Sequence, residues 1–164
     1  MTEHAVALGA GEGETVWFLR NRTTVKIGGE QTGGAYGLVE SLVPAGWSPP
    51  LHLHRYEDEA FYVLEGELTF RCGDETFAAG PGSYLFLPRN VPHTFVVEGD
   101  EPARLLTFIS PGGGERFFVE VGRPAESDGM PPAGPIDVDH LKRTGEKFGN
   151  DIVGPPMEPT RRAA

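Results

Sequence analysis

Three histidines and one glutamate are the residues of this chain best suited to chemistry, and they lie in two short segments. The first segment, GWSPPLHLHRYEDEAFYVLEG, contains His52, His54 and Glu59, and the second, GSYLFLPRNVPH, ends at His93. Imidazole nitrogens together with a carboxylate form a ligand set that divalent transition metals accept readily. The set predicts one divalent metal, namely Fe, Ni, Co or Mn, with Zn also compatible, because these ligands serve all of them.

The spacing of the four residues indicates how strands would bring them together. His52 and His54 are two positions apart, so on a strand both side chains face the same side. Glu59 comes five positions after His54 and must therefore arrive on the next strand, after a bend at residues 55–58. His93 begins another inward-facing row. Four ligands would leave about two octahedral positions open for a substrate or dioxygen.

Two further acidic residues compete with Glu59 as the carboxylate ligand. Glu57 and Asp58 lie in the bend between the two predicted strands. The spacing favours Glu59, because its same-face neighbours, Phe61 and Val63, suit the interior of a barrel. Glu57 and Asp58 are therefore interpreted as solvated loop charges.

The elements that must position these residues are short strands. Stretches rich in β-branched and aromatic residues recur at spacings near ten residues, with Gly, Pro and Asp between them, which is typical of an all-β sandwich or barrel. Asn21 and Arg22 are interpreted as the turn between the first two strands. The predicted strands are residues 15–20, 23–27, 35–43, 51–54, 60–64, 67–72, 75–77, 83–87, 94–97 and 103–109.

The chain divides into three predicted regions. Residues 1–14 form a flexible N-terminal segment, residues 15–124 a single barrel domain, and residues 125–164 a linker, a C-terminal helix and a tail. The helix is predicted over Asp137–Phe148, because an acidic start and a basic end suit the helix dipole. The tail is predicted from Gly154 onward. Glu115–Val121 is left open as a helix or a strand, since periodicity does not decide between them.

Composition restricts the partners. Lys and Arg number 14 against 24 Asp and Glu, which gives a formal net charge of −10. Such a charge disfavours nucleic acid and anionic membrane surfaces. The single cysteine, Cys72, cannot form an intrachain disulfide, which suits a cytoplasmic protein. The first 14 residues lack the basic and apolar regions of a signal peptide.

The two segments resemble the two sequence motifs of the cupin superfamily. The first motif, G(X)5HXH(X)3,4E(X)6G, is matched by Gly46, His52, His54, Glu59 and Gly66. The second, G(X)5PXG(X)2H(X)3N, is matched by Gly82, Pro88 and His93. Asn90 stands at the glycine position and Val97 at the asparagine position. Asparagine tolerates the left-handed conformation that a turn glycine supplies, so neither departure removes a ligand.

The resemblance implies a fold, an activity and an oligomeric state. The fold would be an all-β double-stranded β-helix, the jelly-roll barrel of cupins, with a metal inside and a short C-terminal helix, and the chain would form a homodimer. The core HLHRYEDEAFYVLEGELTF is similar to single-domain quercetinase-like cupins. That similarity implies a dioxygenase that uses O2 on an aromatic or enolic, flavonol-like small molecule, with Glu59 as the catalytic base. A metal-dependent isomerase, cyclase or decarboxylase of natural-product metabolism, or a binding module without turnover, stays open.

An apolar barrel wall would hold such a substrate and exclude water. For each wall residue, packing in the barrel core is the competing interpretation. The candidates for substrate contact are Tyr36, Leu38, Phe61, Phe70 and Phe95.

Overall fold

The computed structural model describes residues 4–160, which form two antiparallel sheets facing each other. The first sheet has seven strands in the order β11-β1-β2-β3-β10-β5-β8, and the second has five in the order β12-β4-β9-β6-β7. All ten predicted strands are present, with ends that differ by no more than two residues. The strands are β1 Glu14–Phe18, β2 Asn21–Ile27, β3 Gly37–Val43, β4 Pro50–His54, β5 Asp58–Glu65, β6 Glu67–Cys72, β7 Glu75–Ala79, β8 Tyr84–Leu87, β9 His93–Glu98, β10 Ala103–Ser110, β11 Arg123–Pro124 and β12 Asn150–Pro156.

The core lies between the two sheets. Inward-facing side chains of both sheets, such as Val63 of β5 and Phe70 of β6, are completely buried. Removing a large apolar side chain of this kind from water contributes about 2–3 kcal/mol to folding. The prediction of an all-β barrel is therefore confirmed.

Three helices accompany the sheets in the described part of the chain. They are α1 Gly29–Thr32, α2 Arg116–Val121 and α3 Val138–Phe148. α3 begins where predicted, because the Asp137 side chain accepts a hydrogen bond from the backbone N–H of His140 and caps the helix. The ambiguous segment is α2. None of the helices among residues 4–160 is long and apolar enough to cross a membrane.

The predicted turn at Asn21 and Arg22 is wrong. The turn lies two residues earlier, at Leu19 and Arg20, and Asn21 already belongs to β2. The reason is that Leu19 adopts the left-handed conformation, with φ 56°. Propensity assigns that conformation to asparagine and not to leucine. The shift turns Asn21 toward the interior, where it is 7% exposed.

The predicted tail from Gly154 onward is wrong for residues 154–156, which belong to β12, and its last four residues lie outside the described part of the chain. β12 pairs antiparallel with β4 and forms the edge of the five-stranded sheet. Its register shifts at Gly154 and again before Pro156. Proline and glycine are tolerated at such edges and irregularities, so their presence did not exclude a strand.

Candidate metal centre

Three strands bring the four candidate ligands to one point. β4 carries His52 and His54, β5 carries Glu59 and β9 carries His93, with His52 directly opposite His93 in the β4–β9 pair. One ligand atom from each residue lies within 4.8 Å of the others. Two ligands on opposite sides of a metal at about 2.1 Å are roughly 4.2 Å apart. The four side chains therefore have nearly the separation that a single ion requires.

Hydrogen bonds fix the orientation of each imidazole. His52 Nδ1 lies 2.7 Å from the Pro50 carbonyl oxygen, and His93 Nδ1 lies 3.0 Å from that of Val91. His54 Nδ1 lies 2.5 Å from Asn150 Oδ1 and 3.1 Å from Glu57 Oε1. Because all these partners are acceptors, each Nδ1 carries a proton, and each Nε2 is the nitrogen that would bind a metal once its imidazole is neutral.

Glu59 lies between the imidazoles. Its Oε2 is 3.2 Å from His93 Nε2 and 3.3 Å from His54 Nε2. The His54 contact is not aligned as a hydrogen bond, so this buried nitrogen has no hydrogen-bond partner among the described residues. A buried nitrogen left in this way suits a site that takes a cation. The donor set and its geometry thus fit a divalent transition metal.

Burial and neighbouring charges shift the pKa values of the site. Burial, reinforced by His93 and His54, lowers the pKa of His52 to about 3. Burial also lowers the pKa of His54, but Glu59 and Glu57 outweigh it and raise that pKa to about 10. For Glu59, burial raises the pKa, yet His54 and His93 outweigh it and hold it well below its usual range. Without a cation, the site is therefore a buried ion pair of protonated His54 and ionised Glu59.

The interpretation of Glu57 as a solvated loop charge is wrong. The side chain is 5% exposed, and its carboxylate accepts a hydrogen bond from His54 Nδ1. The bend after β4 turns Glu57 back beneath the imidazole that precedes it by three residues. Asp58, in contrast, pairs with Arg89 at 2.9 Å near the surface. A signal for Glu57 existed in its spacing from His54, but the bend geometry was needed to use it.

Asn150 is a site residue that the sequence did not suggest. It lies opposite His54 in the β12–β4 pair, 96 positions away along the chain, and is 9% exposed. Its side-chain oxygen and the Glu57 carboxylate together hold His54 Nδ1. Groups that bind the second nitrogen of a ligating histidine fix its tautomer and orientation.

A largely apolar cavity of about 110 Å³ opens at the four ligands. Two of the predicted substrate-contact residues, Phe61 and Phe95, line it. Residues beyond the ten predicted strands also line it, namely Phe117 and Phe118 of α2, Leu141 of α3 and Ile152 of β12. The cavity has room for several water molecules, or for a small ring compound in their place.

Three of the predicted substrate-contact residues do not line this cavity. Tyr36 is 40% exposed and precedes β3. Leu38 lies on the outward face of β3, because Gly37 and Val39 hold the buried positions of its alternating pattern. Phe70 is completely buried behind the wall, with its ring centroid 5.2 Å from that of Phe61. The segment preceding the first motif has apolar residues at both parities, so its phase could not be read from the sequence.

Comparison with known proteins agrees with this architecture. Residues 38–109 match the family model of the cupin domain. These residues therefore form a cupin domain. The cupin motif position occupied by Asn90 in place of glycine has φ 65°, so the expected left-handed conformation is confirmed. The other departure, Val97, is completely buried in the core.

The chain is similar to proteins of several kinds. It is 28% identical over 146 residues to quercetin 2,3-dioxygenase of Bacillus subtilis (strain 168), and the matched region covers 89% of this chain and 43% of that protein. It is 35% identical over 89 residues to polyketide synthase CurC of Streptomyces cyaneus, covering 54% and 55%. The chain thus spans about half the length of these curated relatives. An RmlC-like cupin from Shewanella frigidimarina NCIMB 400 superposes with a TM-score of 0.56 at 19% identity, covering 70% of this chain and 96% of that one, and shares the fold.

Proposed function

We propose that this quercetinase-like cupin is a metal-dependent dioxygenase that acts on an aromatic or enolic, flavonol-like small molecule. The observation that carries the proposal is the convergence of His52, His54, Glu59 and His93 on one point of an apolar cavity. The similarity to quercetin 2,3-dioxygenase supports the choice of substrate class and of O2 as the second substrate.

The residues of the chain divide the chemical work. A divalent transition metal supplies Lewis acidity toward a substrate oxygen and, where it is redox-active, reactivity toward O2. Glu59 accepts the proton of the substrate hydroxyl, since its carboxylate is ionised and faces the cavity. Phe61 and Phe95 pack against the ring and exclude water. Asn150 and Glu57 hold His54 in the orientation that leaves Nε2 free.

A non-oxidative reaction is the second candidate. The similarity to polyketide synthase CurC favours an isomerase, cyclase or decarboxylase of natural-product metabolism. The same four residues would serve it, with the metal as a Lewis acid. Oxygen uptake separates the two candidates, because only the dioxygenase consumes O2 with substrate. A binding module predicts substrate binding without any product.

Metal analysis of histidine variants tests the site itself. We expect His52→Ala, His54→Ala and His93→Ala each to lose bound metal, because each removes one of three imidazole ligands. His4→Ala is the control, since His4 is exposed and precedes β1. Protein purified without added metal is assayed by elemental analysis and by oxygen uptake on flavonols and enolic ketones. Metal content equal to wild type in all three variants would refute the site.

Glu59→Gln tests the base. Glutamine keeps the oxygen of Glu59 but cannot take up the substrate proton, so the variant should retain some metal and lose turnover. Its metal content is measured beside its oxygen uptake. Full activity of Glu59→Gln would remove the proposed base.

We also propose that the protein is a homodimer, supported by an outer aromatic patch. Tyr62, Tyr84, Phe86 and Phe108 lie on the outward face of β5, β8 and β10 and are 37–63% exposed. A contiguous exposed apolar patch usually marks an interface. The mass in solution should be that of two chains, and Tyr84→Lys should lower it to one. A monomeric wild type excludes this assembly.

A further inference from the structure

A buried amide oxygen on the cavity wall has no hydrogen-bond partner among the described residues. Asn21, at the start of β2, is 7% exposed and lines the same cavity as the four candidate ligands. Its Oδ1 is buried and makes no hydrogen bond to any described residue. A buried polar atom without a partner destabilises a folded protein, so its presence requires an explanation. Leu19, which precedes it in the hairpin and also lines the cavity, holds an unfavourable left-handed φ of 56°.

Two hydroxyl groups lie on the same wall. Ser41 of β3 and Thr107 of β10 are 7% and 4% exposed and line the cavity with Asn21. The Ser41 hydroxyl lies 3.0 Å from that of Thr23, which holds it in place. In the sheet order, β2 and β5 are three strand spacings apart, roughly 14 Å along the sheet. Asn21 therefore lies on a strand that carries none of the four candidate ligands, and this polar group is a separate part of the cavity wall.

The charge of the wall narrows the ligand chemistry. No Lys or Arg is among the residues found to line the cavity in the described part of the chain. A carboxylate or phosphate beside Asn21 would therefore have no Lys or Arg to pair with, which is unfavourable. An asparagine amide offers both a hydrogen-bond donor and an acceptor, and a hydroxyl group can form a hydrogen bond with either of them.

We propose that Asn21, together with Ser41 and Thr107, binds a hydroxyl group on the ring of a neutral substrate, remote from the oxygen that faces the metal ligands. The proposal deepens the proposed function and rests on it, because it assumes that an organic ring occupies this cavity. The substrate is thereby specified as a hydroxylated ring held at two polar ends with its apolar body against Phe61 and Phe95.

The test measures binding without turnover, in zinc-loaded protein. The two probes are quercetin and 3-hydroxyflavone, which share the ketone and adjacent hydroxyl but differ in the remote ring hydroxyls. Wild type, Asn21→Leu and Thr24→Val are compared. For each protein, the dissociation constants of both probes are measured by fluorescence titration, and the melting temperature is measured without ligand. Thr24→Val is the matched control, because Thr24 is buried on the opposite face of β2 and hydrogen-bonds to Thr15.

The expected result combines a gain in stability with a loss of selectivity. Wild type and Thr24→Val should prefer quercetin, and Asn21→Leu should lose about fivefold to tenfold of that preference while binding 3-hydroxyflavone as before. Without ligand, Asn21→Leu should melt at the same temperature or a few degrees higher, because an unsatisfied buried amide has been removed. A preference unchanged by Asn21→Leu, or a lowered melting temperature, overturns the proposal, as does a wild type without preference. Failure of wild type to bind either probe overturns the proposed substrate class as well.

Discussion

The protonation state of His54 gives the most direct test of the metal centre. In the metal-free protein, Glu59 and Glu57 overcome the effect of burial and raise the pKa of His54 to about 10. A metal binds the neutral imidazole, so the ion must displace this proton. His52 and Glu59 release no proton on metal binding near neutral pH, because the pKa of His52 is lowered to about 3 and that of Glu59 is also lowered.

The magnitude follows from the distance between pH 7 and the pKa of His54. With that pKa about 10, only about one molecule in a thousand has neutral His54 at pH 7, which weakens apparent metal binding by about 4 kcal/mol. Affinity should therefore rise about tenfold for each unit between pH 6.5 and 8, with about one proton released per ion. The sign is fixed: a raised pKa favours the metal-free form at low pH, and this advantage is lost as the pH rises through the pKa.

Calorimetry measures both quantities. Zinc or cobalt is titrated into metal-free protein in two buffers that differ in ionisation enthalpy, and the difference in heat gives the number of protons released. Asp58→Asn is the matched control, because this neighbouring carboxylate pairs with Arg89 at the surface and does not contact His54. Glu57→Gln should raise the apparent affinity at pH 7 and end the pH dependence at a lower pH, since it removes one charge that raises the pKa of His54. Binding that is independent of pH between 6.5 and 8, with no proton release, would refute the assignment of the ion pair.

Three further predictions concern single side chains. Asn150→Leu should weaken metal binding about tenfold or more, measured by competition with a chelator, because His54 Nδ1 loses an acceptor at 2.5 Å; unchanged affinity would show that Glu57 suffices. Asn90→Val should lower the urea unfolding free energy by about 1–2 kcal/mol, because φ is 65° there, whereas Asn90→Gly should stay within about 1 kcal/mol of wild type. Phe70→Ala should lower the free energy of unfolding by about 3–5 kcal/mol. Phe77 is the partner of Phe70 in the β6–β7 pair and is 41% exposed, so Phe77→Ala should lower it much less. Equal losses in the two variants would contradict the assigned core.

Local spacing was sufficient to predict the ligand cluster. Side chains two apart on a strand share a face whatever the rest of the fold does, so His52 and His54 could be paired from the sequence alone. Glu59 followed because an odd spacing demands a change of strand. Glu57 could not be placed in the same way, because its direction depends on the dihedral angles of a bend and not on a period.

The features that were missed depend on distant pairing or on strain. Asn150 reaches His54 only because β12 closes the edge of the sheet, and nothing in the local sequence specifies that pairing. Asn21 was taken for a turn residue, whereas Leu19 adopts the left-handed conformation in its place. Leu38 was placed on the wrong face, because the apolar residues around it occupy both parities of β3.

The C-terminal segment is part of the candidate metal centre and not an appendage to the barrel. β12 pairs with β4, the strand that carries two of the four ligands, and places Asn150 against His54 and Ile152 against the cavity. α3, which precedes β12, adds Leu141 to the same wall. A displacement of this segment that opened the cavity would also remove an acceptor from His54 Nδ1. In the proposed function, opening of the cavity to a substrate at this segment would therefore also disturb the orientation of His54, a candidate metal ligand, through Asn150.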